Sequence, residues 1–219
     1  APPVCVNSTQ TYSTPLNTGN TYLWTVTGGT IGGAATNNTV TVTWTVVGNG
    51  TISVRETNTL GCDTTVSRTI PVNALPSVTI TPSGPTVICN GQSVTLLATP
   101  GFVSYSWNTG ETTPNITVTQ SGTYTVTVVD QNGCSNNSNS ITVTVQNVPA
   151  PQIQASGPTT FCQGGSVTLS ITGTNIQGYA WSNGATTSSI TVTTSGSYWC
   201  EVTYNNGCKA RTDIIQVTV

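Results

Sequence analysis

Apolar residues fall at every second position in stretches spread along the chain, among them SVTLLAT (93–99), NITVT (115–119), TYTVTVVD (123–130) and SITVTV (140–145). A period of two puts alternate side chains on opposite faces of an extended backbone, so each stretch predicts a β-strand with one face on a core. Gly, Asn and Pro separate the stretches. About six or seven strands fall in each block of about 73 residues, a number and length suited to two packed sheets.

The blocks are copies of one another. SGPTVICNGQSVTL (83–96) returns as SGPTTFCQGGSVTL (156–169), and YSWNTGETTPNITVTQSG (105–122) returns as YAWSNGATTSSITVTTSG (179–196). A divergent first copy keeps an early cysteine, YLWTV (22–26), the alternating run TVTVTWTV (39–46) and NTLGC (58–62). Three domains are therefore expected, at 1–73, 74–146 and 147–219. The run before Cys5 is shorter than the runs before Cys89 and Cys162, so the first copy is expected to lack its opening strand. Either the chain is a window cut from a longer protein, or a neighbouring chain supplies that strand.

Trp107 and Trp181 stand at the third strand's position, where a large ring fills the space between sheets, and Trp24 follows an aromatic in YLWTV of the first copy. Tyr124 and Tyr198 follow Ser-Gly at the start of a later strand, and resemble the tyrosine corner of immunoglobulin-like folds. All five are expected in the core rather than on a carbohydrate-stacking surface.

There are seven cysteines. None lie in a CxxC pair, which argues against zinc and for disulfides in an oxidising compartment. Cys5, Cys89 and Cys162 lead the three copies, and Cys62, Cys134 and Cys208 close the GC turns of the same copies. The economical pairing is one bridge inside each repeat: Cys5–Cys62, Cys89–Cys134 and Cys162–Cys208. Cys200 is left over. Alternation puts it on the same face as Tyr198 and Val202, and its counterpart is Val126, so a buried free thiol acting as a small hydrophobe is expected. An interchain disulfide would require it to be exposed.

Charge narrows the function classes. Four Lys or Arg, six Asp or Glu and no His leave a net charge of −2. Phosphate neutralisation and attachment to anionic lipid both need basic clusters that are absent, and no stretch is long and apolar enough for a membrane-spanning helix. The acids are spread singly, without a paired-carboxylate or calcium-loop arrangement, and no His is present to activate a nucleophile. No enzyme activity, cofactor, nucleic-acid partner or membrane insertion is expected.

With the CNGQSVTL and CQGGSVTL segments, YSWNTG and YAWSNG, SGTYTVTV and SGSYWCEV, and the NGC turns in view, the chain resembles the immunoglobulin-like and PKD-like repeats of very long secreted and surface proteins of Bacteroidetes bacteria. The first copy is similar to the PKD-like variant through YLWTVTGGTI, VTVTWTV and ETNTLGC. The resemblance implies an all-β fold of tandem sandwiches, each with one disulfide, on the cell surface or secreted. It also implies export by the type IX system, a link to gliding or adhesion, and a structural or adhesive role as subunit or shaft of a surface fibre. Expected partners are neighbouring copies or further domains of the same protein, with surface glycans or proteins as possible ligands. The rival readings are a glycan- or surface-binding module and a spacer beside a secreted polysaccharide-degrading enzyme.

Overall fold

A computed structural model describes residues 4–219 of the chain. The described residues are all-β, with no helix. The first repeat forms β1 (Thr9–Ser13), β2 (Thr21–Thr27), β3 (Gly29–Gly32), β4 (Thr39–Trp44), β5 (Gly48–Thr57) and β6 (Asp63–Val72). The second forms β7 (Ile80–Pro82), β8 (Val87–Cys89), β9 (Val94–Ala98), β10 (Ser104–Trp107), β11 (Asn115–Val118), β12 (Gly122–Tyr124), β13 (Val126–Val129), β14 (Ser135–Asn137) and β15 (Ile141–Gln146). The third forms β16 (Gln152–Ala155), β17 (Val167–Thr172), β18 (Ile176–Trp181), β19 (Ser189–Val192), β20 (Gly196–Tyr198), β21 (Cys200–Tyr204), β22 (Lys209–Arg211) and β23 (Ile215–Val217).

The chain divides into two compact units, and the division passes through the middle repeat. One unit holds residues 1–81, 96–116 and 124–141; the other holds 82–95, 117–123 and 142–219. In the first, sheets of order β1-β4-β3 and β2-β5-β6 enclose a core of Tyr22, Trp24, Val40, Val42, Trp44, Ile52, Val54, Ile70 and Val72. A third sheet, β10-β13-β14, carries the buried Tyr105, Trp107, Val126 and Val128. In the second unit, β16-β17-β19 and β18-β21-β22 cover Val167, Leu169, Trp181, Ile190, Val192, Tyr198, Cys200, Val202 and Tyr204.

The alternation explains the faces. In β4, Val40, Val42 and Trp44 are buried while Thr39 is exposed and Thr41 and Thr43 are half-buried. Each fully buried Val or Leu contributes about 1.5–3 kcal/mol relative to leaving it in water. The outward Thr residues pair across strands through their hydroxyls, as Thr9 with Thr43 and Thr27 with Thr51.

In each repeat the segment at the leading cysteine runs parallel to the last strand of the same repeat. Cys5 bridges Asn73, β8 pairs with β15, and Thr160 bridges Thr218. β1 pairs only with β4 and lies at the edge of its sheet, whereas the corresponding β9 and β17 are central, flanked by β7 and β16. Among the described residues no strand pairs with the outer edge of β1.

One close approach depends on a glycine. A Cβ built on Gly50 would lie 2.2 Å from the ring of Trp44 and 3.0 Å from the Thr27 carbonyl oxygen. Trp44 is fully buried, with its indole N–H donated to the Tyr12 hydroxyl, so it has no room to yield. Gly50→Ala is expected to destabilise the fold by about 1–3 kcal/mol, the usual range for overpacking a tight core. Urea denaturation measures it, and an unchanged midpoint would show that the first repeat is looser than described.

The disulfides correct the expected pairing. There are two bridges among the described residues, Cys5–Cys134 and Cys89–Cys208, with Cα separations of 5.7 and 5.6 Å. Each joins the leading cysteine of one repeat to the closing cysteine of the next, and each lies within one compact unit. Cys62 and Cys162 are free and exposed. The expectation of one bridge inside each repeat, with Cys62 and Cys162 bonded, is therefore wrong. The reason is strand length. Cys62 immediately precedes β6, and Cys5 sits beside Asn73 just beyond the other end of that strand. A strand of that length separates them by about 35 Å at about 3.3 Å per residue, whereas a disulfide tolerates Cα distances of only about 4.4–6.8 Å.

Candidate functional site

The repeated chemistry of this chain lies in its cysteine turns, which come in two kinds. The leading turns are Cys5–Ser8, Cys89–Gln92 and Cys162–Gly165. In each, the amide three residues on donates to the cysteine carbonyl, from Ser8 at 3.0 Å, Gln92 at 2.9 Å and Gly165 at 3.0 Å. The third residue has positive φ every time: 67° at Asn7, 85° at Gly91 and 89° at Gly164. That is the conformation of a type II turn, which favours Gly or Asn there because a Cβ is poorly tolerated. Side chains reinforce two of the three, since Ser8 Oγ and Gln92 Oε1 accept from the amides of Cys5 and Cys89.

The closing turns are Asn58–Cys62, Asp130–Cys134 and Tyr204–Cys208. Each first residue donates its amide to the cysteine carbonyl, at 3.0, 2.9 and 2.8 Å. Each glycine before the cysteine has positive φ, 82° at Gly61, 78° at Gly133 and 82° at Gly207, and donates to the carbonyl of the turn's first residue. Asn58 Oδ1 accepts from the amides of Leu60 and Cys62, and Asp130 Oδ1 accepts from those of Asn132 and Cys134. The three turns are thus the same local structure whether or not their cysteine is bonded. The bonded Cys134 and Cys208 are buried, and Cys62 is exposed.

Cys200 is fully buried in β21, opposite Trp181, and carries no disulfide. Burial pushes its thiol above its ordinary value, outweighing the opposing effect of a hydrogen bond with the Ala180 backbone. Its amide donates to the buried Thr212 hydroxyl, which in turn donates to the Asp213 carbonyl. Ser138 makes the same two bonds at Val126 and Asn139.

Trp24, Trp107 and Trp181 are buried and their indole N–H groups donate to the carbonyls of Asn37, Thr113 and Thr187, each at 2.8 Å. Tyr124 and Tyr198 are buried as well, and the Tyr198 hydroxyl donates to the Thr194 carbonyl at 3.2 Å. Tyr22 of the first repeat, which corresponds to Tyr105 of the second, was not among the expected core aromatics; its hydroxyl donates to the Pro15 carbonyl and accepts from the Asn17 amide. Trp44 was also missed, although alternation with Val40 and Val42 marks it. Trp199 differs from these rings: it points away from the core and is half-buried, with the Arg211 guanidinium 3.6 Å from its ring centroid.

Three open grooves, of about 610, 430 and 390 Å³, are lined without a single acidic or basic side chain. Among the described residues no three potential metal ligands converge, and no helix is long and apolar enough to cross a membrane. Two carboxyls are held below their usual range: Glu56 by hydrogen bonds from Asn17 and Asn20, and Glu111 by one from Thr109. Glu56 is half-buried and Glu111 exposed, and each is occupied in shaping a loop.

Comparison with known families bears on the same segments. Residues 77–145 match the PKD domain, and residues 1–72 match a PKD-like domain. The chain carries PKD-type, immunoglobulin-like sandwich repeats. No curated protein matches it at significant similarity. Among solved structures, the ICAM-5 D1–D4 ectodomain fragment is similar over 100% of this chain and 74% of its own, at 14% identity and TM-score 0.43. A Bacteroides ovatus mixed-linkage glucan utilization locus protein, SGBP-B, solved with a mixed-linkage heptasaccharide, covers 99% of this chain and 64% of its own, at 16% identity and TM-score 0.27. A chain from the complex of a mouse coronavirus receptor-binding domain with its murine receptor covers 65% and 100%, at 18% identity and TM-score 0.33. All three scores lie below 0.5, and none bears on what these PKD-type repeats do.

Proposed function

We propose that this chain is a structural segment, shaft or subunit, of an extracellular adhesive fibre, built of three repeats at 1–73, 74–146 and 147–219. The observation that carries the reading is the pair of overlapping bridges, each of which ties one repeat covalently to the next. A disulfide that links repeats carries tension from one to another, which a bridge inside a single sandwich does not do. Disulfides persist in oxidising compartments, which supports a place outside the cell, on its surface or secreted. PKD-type repeats typically occur as non-catalytic modules, which supports a structural rather than an enzymatic role. The resemblance to Bacteroidetes surface repeats supports export by the type IX system and association with adhesion or gliding.

One observation favours a second reading, a glycan-binding module. Trp199 and Arg211 form a half-exposed stacked pair on one face of the third repeat, and an aromatic face with a neighbouring donor suits a sugar ring. Affinity electrophoresis through gels containing soluble polysaccharides separates the two. The structural reading expects the chain to migrate equally with and without polysaccharide. Retardation that Trp199→Ala abolishes would replace it with the binding reading.

A further inference from the structure

Cys62 and Cys162 are the two halves of one bridge that the chain makes twice and leaves unmade once. In both formed bridges a leading turn meets a closing turn of the following repeat. The unbonded pair consists of one closing turn, at Cys62, and one leading turn, at Cys162, and both thiols are exposed. We propose that Cys162 of one copy bonds Cys62 of a second copy, so that chains join head to tail through the same leading-to-closing bridge that joins repeats inside each chain. This inference rests on the reading of the chain as a fibre segment and names how the segment is joined.

Three observations carry it. The first is complementarity: two free leading turns would have no rule to follow, but one of each kind reproduces the pairing seen twice. The second is preorganisation. Cys162 is held by the same carbonyl–amide bond and positive-φ residue as Cys5 and Cys89, and Cys62 by the same hairpin as Cys134 and Cys208. Neither thiol needs a new backbone conformation to bond. The third is the surface beside Cys62. Leu60 is 86% exposed and Val66 is 63% exposed, where the bonded closing turns carry Asn132 or Asn206 and Ser138 or Thr212. Apolar side chains on both sides of a free thiol fit a surface that an incoming repeat covers. The contact uses different surfaces on the two copies and leaves one free turn of each kind at the ends, so it propagates instead of closing into a dimer.

The chemistry balances with a small disulfide as oxidant. The Cys162 thiolate attacks one sulfur of that disulfide, forming a mixed disulfide and expelling one thiolate. The Cys62 thiolate of the second copy then attacks the Cys162 sulfur and expels the other half. Two protein thiols lose two protons and two electrons, and the small disulfide is reduced to two thiols.

The test incubates the purified 219-residue chain, with its two bridges formed, in an oxidised and reduced glutathione buffer near pH 8. Products are read by non-reducing electrophoresis and peptide mass mapping. The wild-type chain should give a ladder at multiples of 22.6 kDa that collapses with reductant, with Cys62–Cys162 as the linking peptide. C62S alone and C162S alone should stay monomeric, and an equal mixture of the two should stop at a dimer. Dimers from either variant alone, a wild-type monomer lighter by two hydrogens through an internal Cys62–Cys162 bond, or glutathione adducts with no ladder would each overturn the proposal. Migration in polysaccharide gels is unaffected by any of these results, so the fibre-segment reading and this junction fail separately. The linking-peptide map of the wild type stands even if a serine variant folds poorly.

Discussion

Pulled from its two ends, the oxidised chain should lengthen far less than the reduced one. With both bridges intact, the shortest covalent path from Cys5 to Cys208 crosses to Cys134, runs back along the chain to Cys89 and crosses again to Cys208. That path holds only about 45 residues, about 160 Å at full extension, whereas the reduced chain spans about 203 residues and about 730 Å between the same points. Reductant is therefore expected to raise the extension four- to five-fold in single-molecule force spectroscopy. Cys89→Ser should give an intermediate of about 270 Å, because the load then passes from Cys5 to Cys134 and onward along about 74 residues. Full extension without reductant would mean that the bridges do not form as described, and the load-bearing role would lose its physical basis. The same bridges should also stabilise the fold at rest. Their sequence separations are 129 and 119 residues, and in the loop-entropy account each closure contributes on the order of 5 kcal/mol.

Trp181→Ala should remove much of the stability of the third repeat. The ring is 3% exposed, stands opposite Cys200 in the β18–β21 ladder, and packs with Val167, Leu169, Val192 and Val202. Truncating it leaves a large cavity and frees the Thr187 carbonyl of its indole donor. Losses of about 3–5 kcal/mol are usual for such a change, against a total stability of about 5–15 kcal/mol for a typical domain. Trp181→Phe should recover part of the loss by refilling the space without restoring the hydrogen bond. Urea unfolding of the oxidised protein, followed by the fluorescence of the remaining tryptophans, reads both variants. A loss below about 1 kcal/mol for the alanine variant would place the ring outside the core.

Much of the fold was legible because its signals are local. Thr and Val alternate so regularly that strand and facing are set within a few residues, as in TVTVTW at β4. Cys200 lies inward because its neighbours at two-residue spacing do, and the tryptophan two residues after a tyrosine in each copy is marked by the repeat. The turns were legible too, since Gly61, Gly133 and Gly207 each stand directly before a cysteine at a position that requires positive φ.

Trp44 and Tyr22 show where reading by repeat fell short. Trp44 has no counterpart in the other two copies, so matching motifs passed over it, and Tyr22 was passed over with its counterpart Tyr105 because the tryptophan beside each marked the motif. Their burial follows from alternation in β4 and β2 alone.

What the sequence determined by itself is therefore each repeat: its all-β class, the inward face of each strand and the shape of both cysteine turns. Only the tertiary structure decided which turns meet. Every copy carries the same leading and closing cysteines, so a bridge within a repeat and a bridge between repeats look alike in one dimension. In the first repeat the length of the last strand holds the two turns about 35 Å apart, and packing brings the leading turns of the first two repeats to the closing turns of the repeats that follow them.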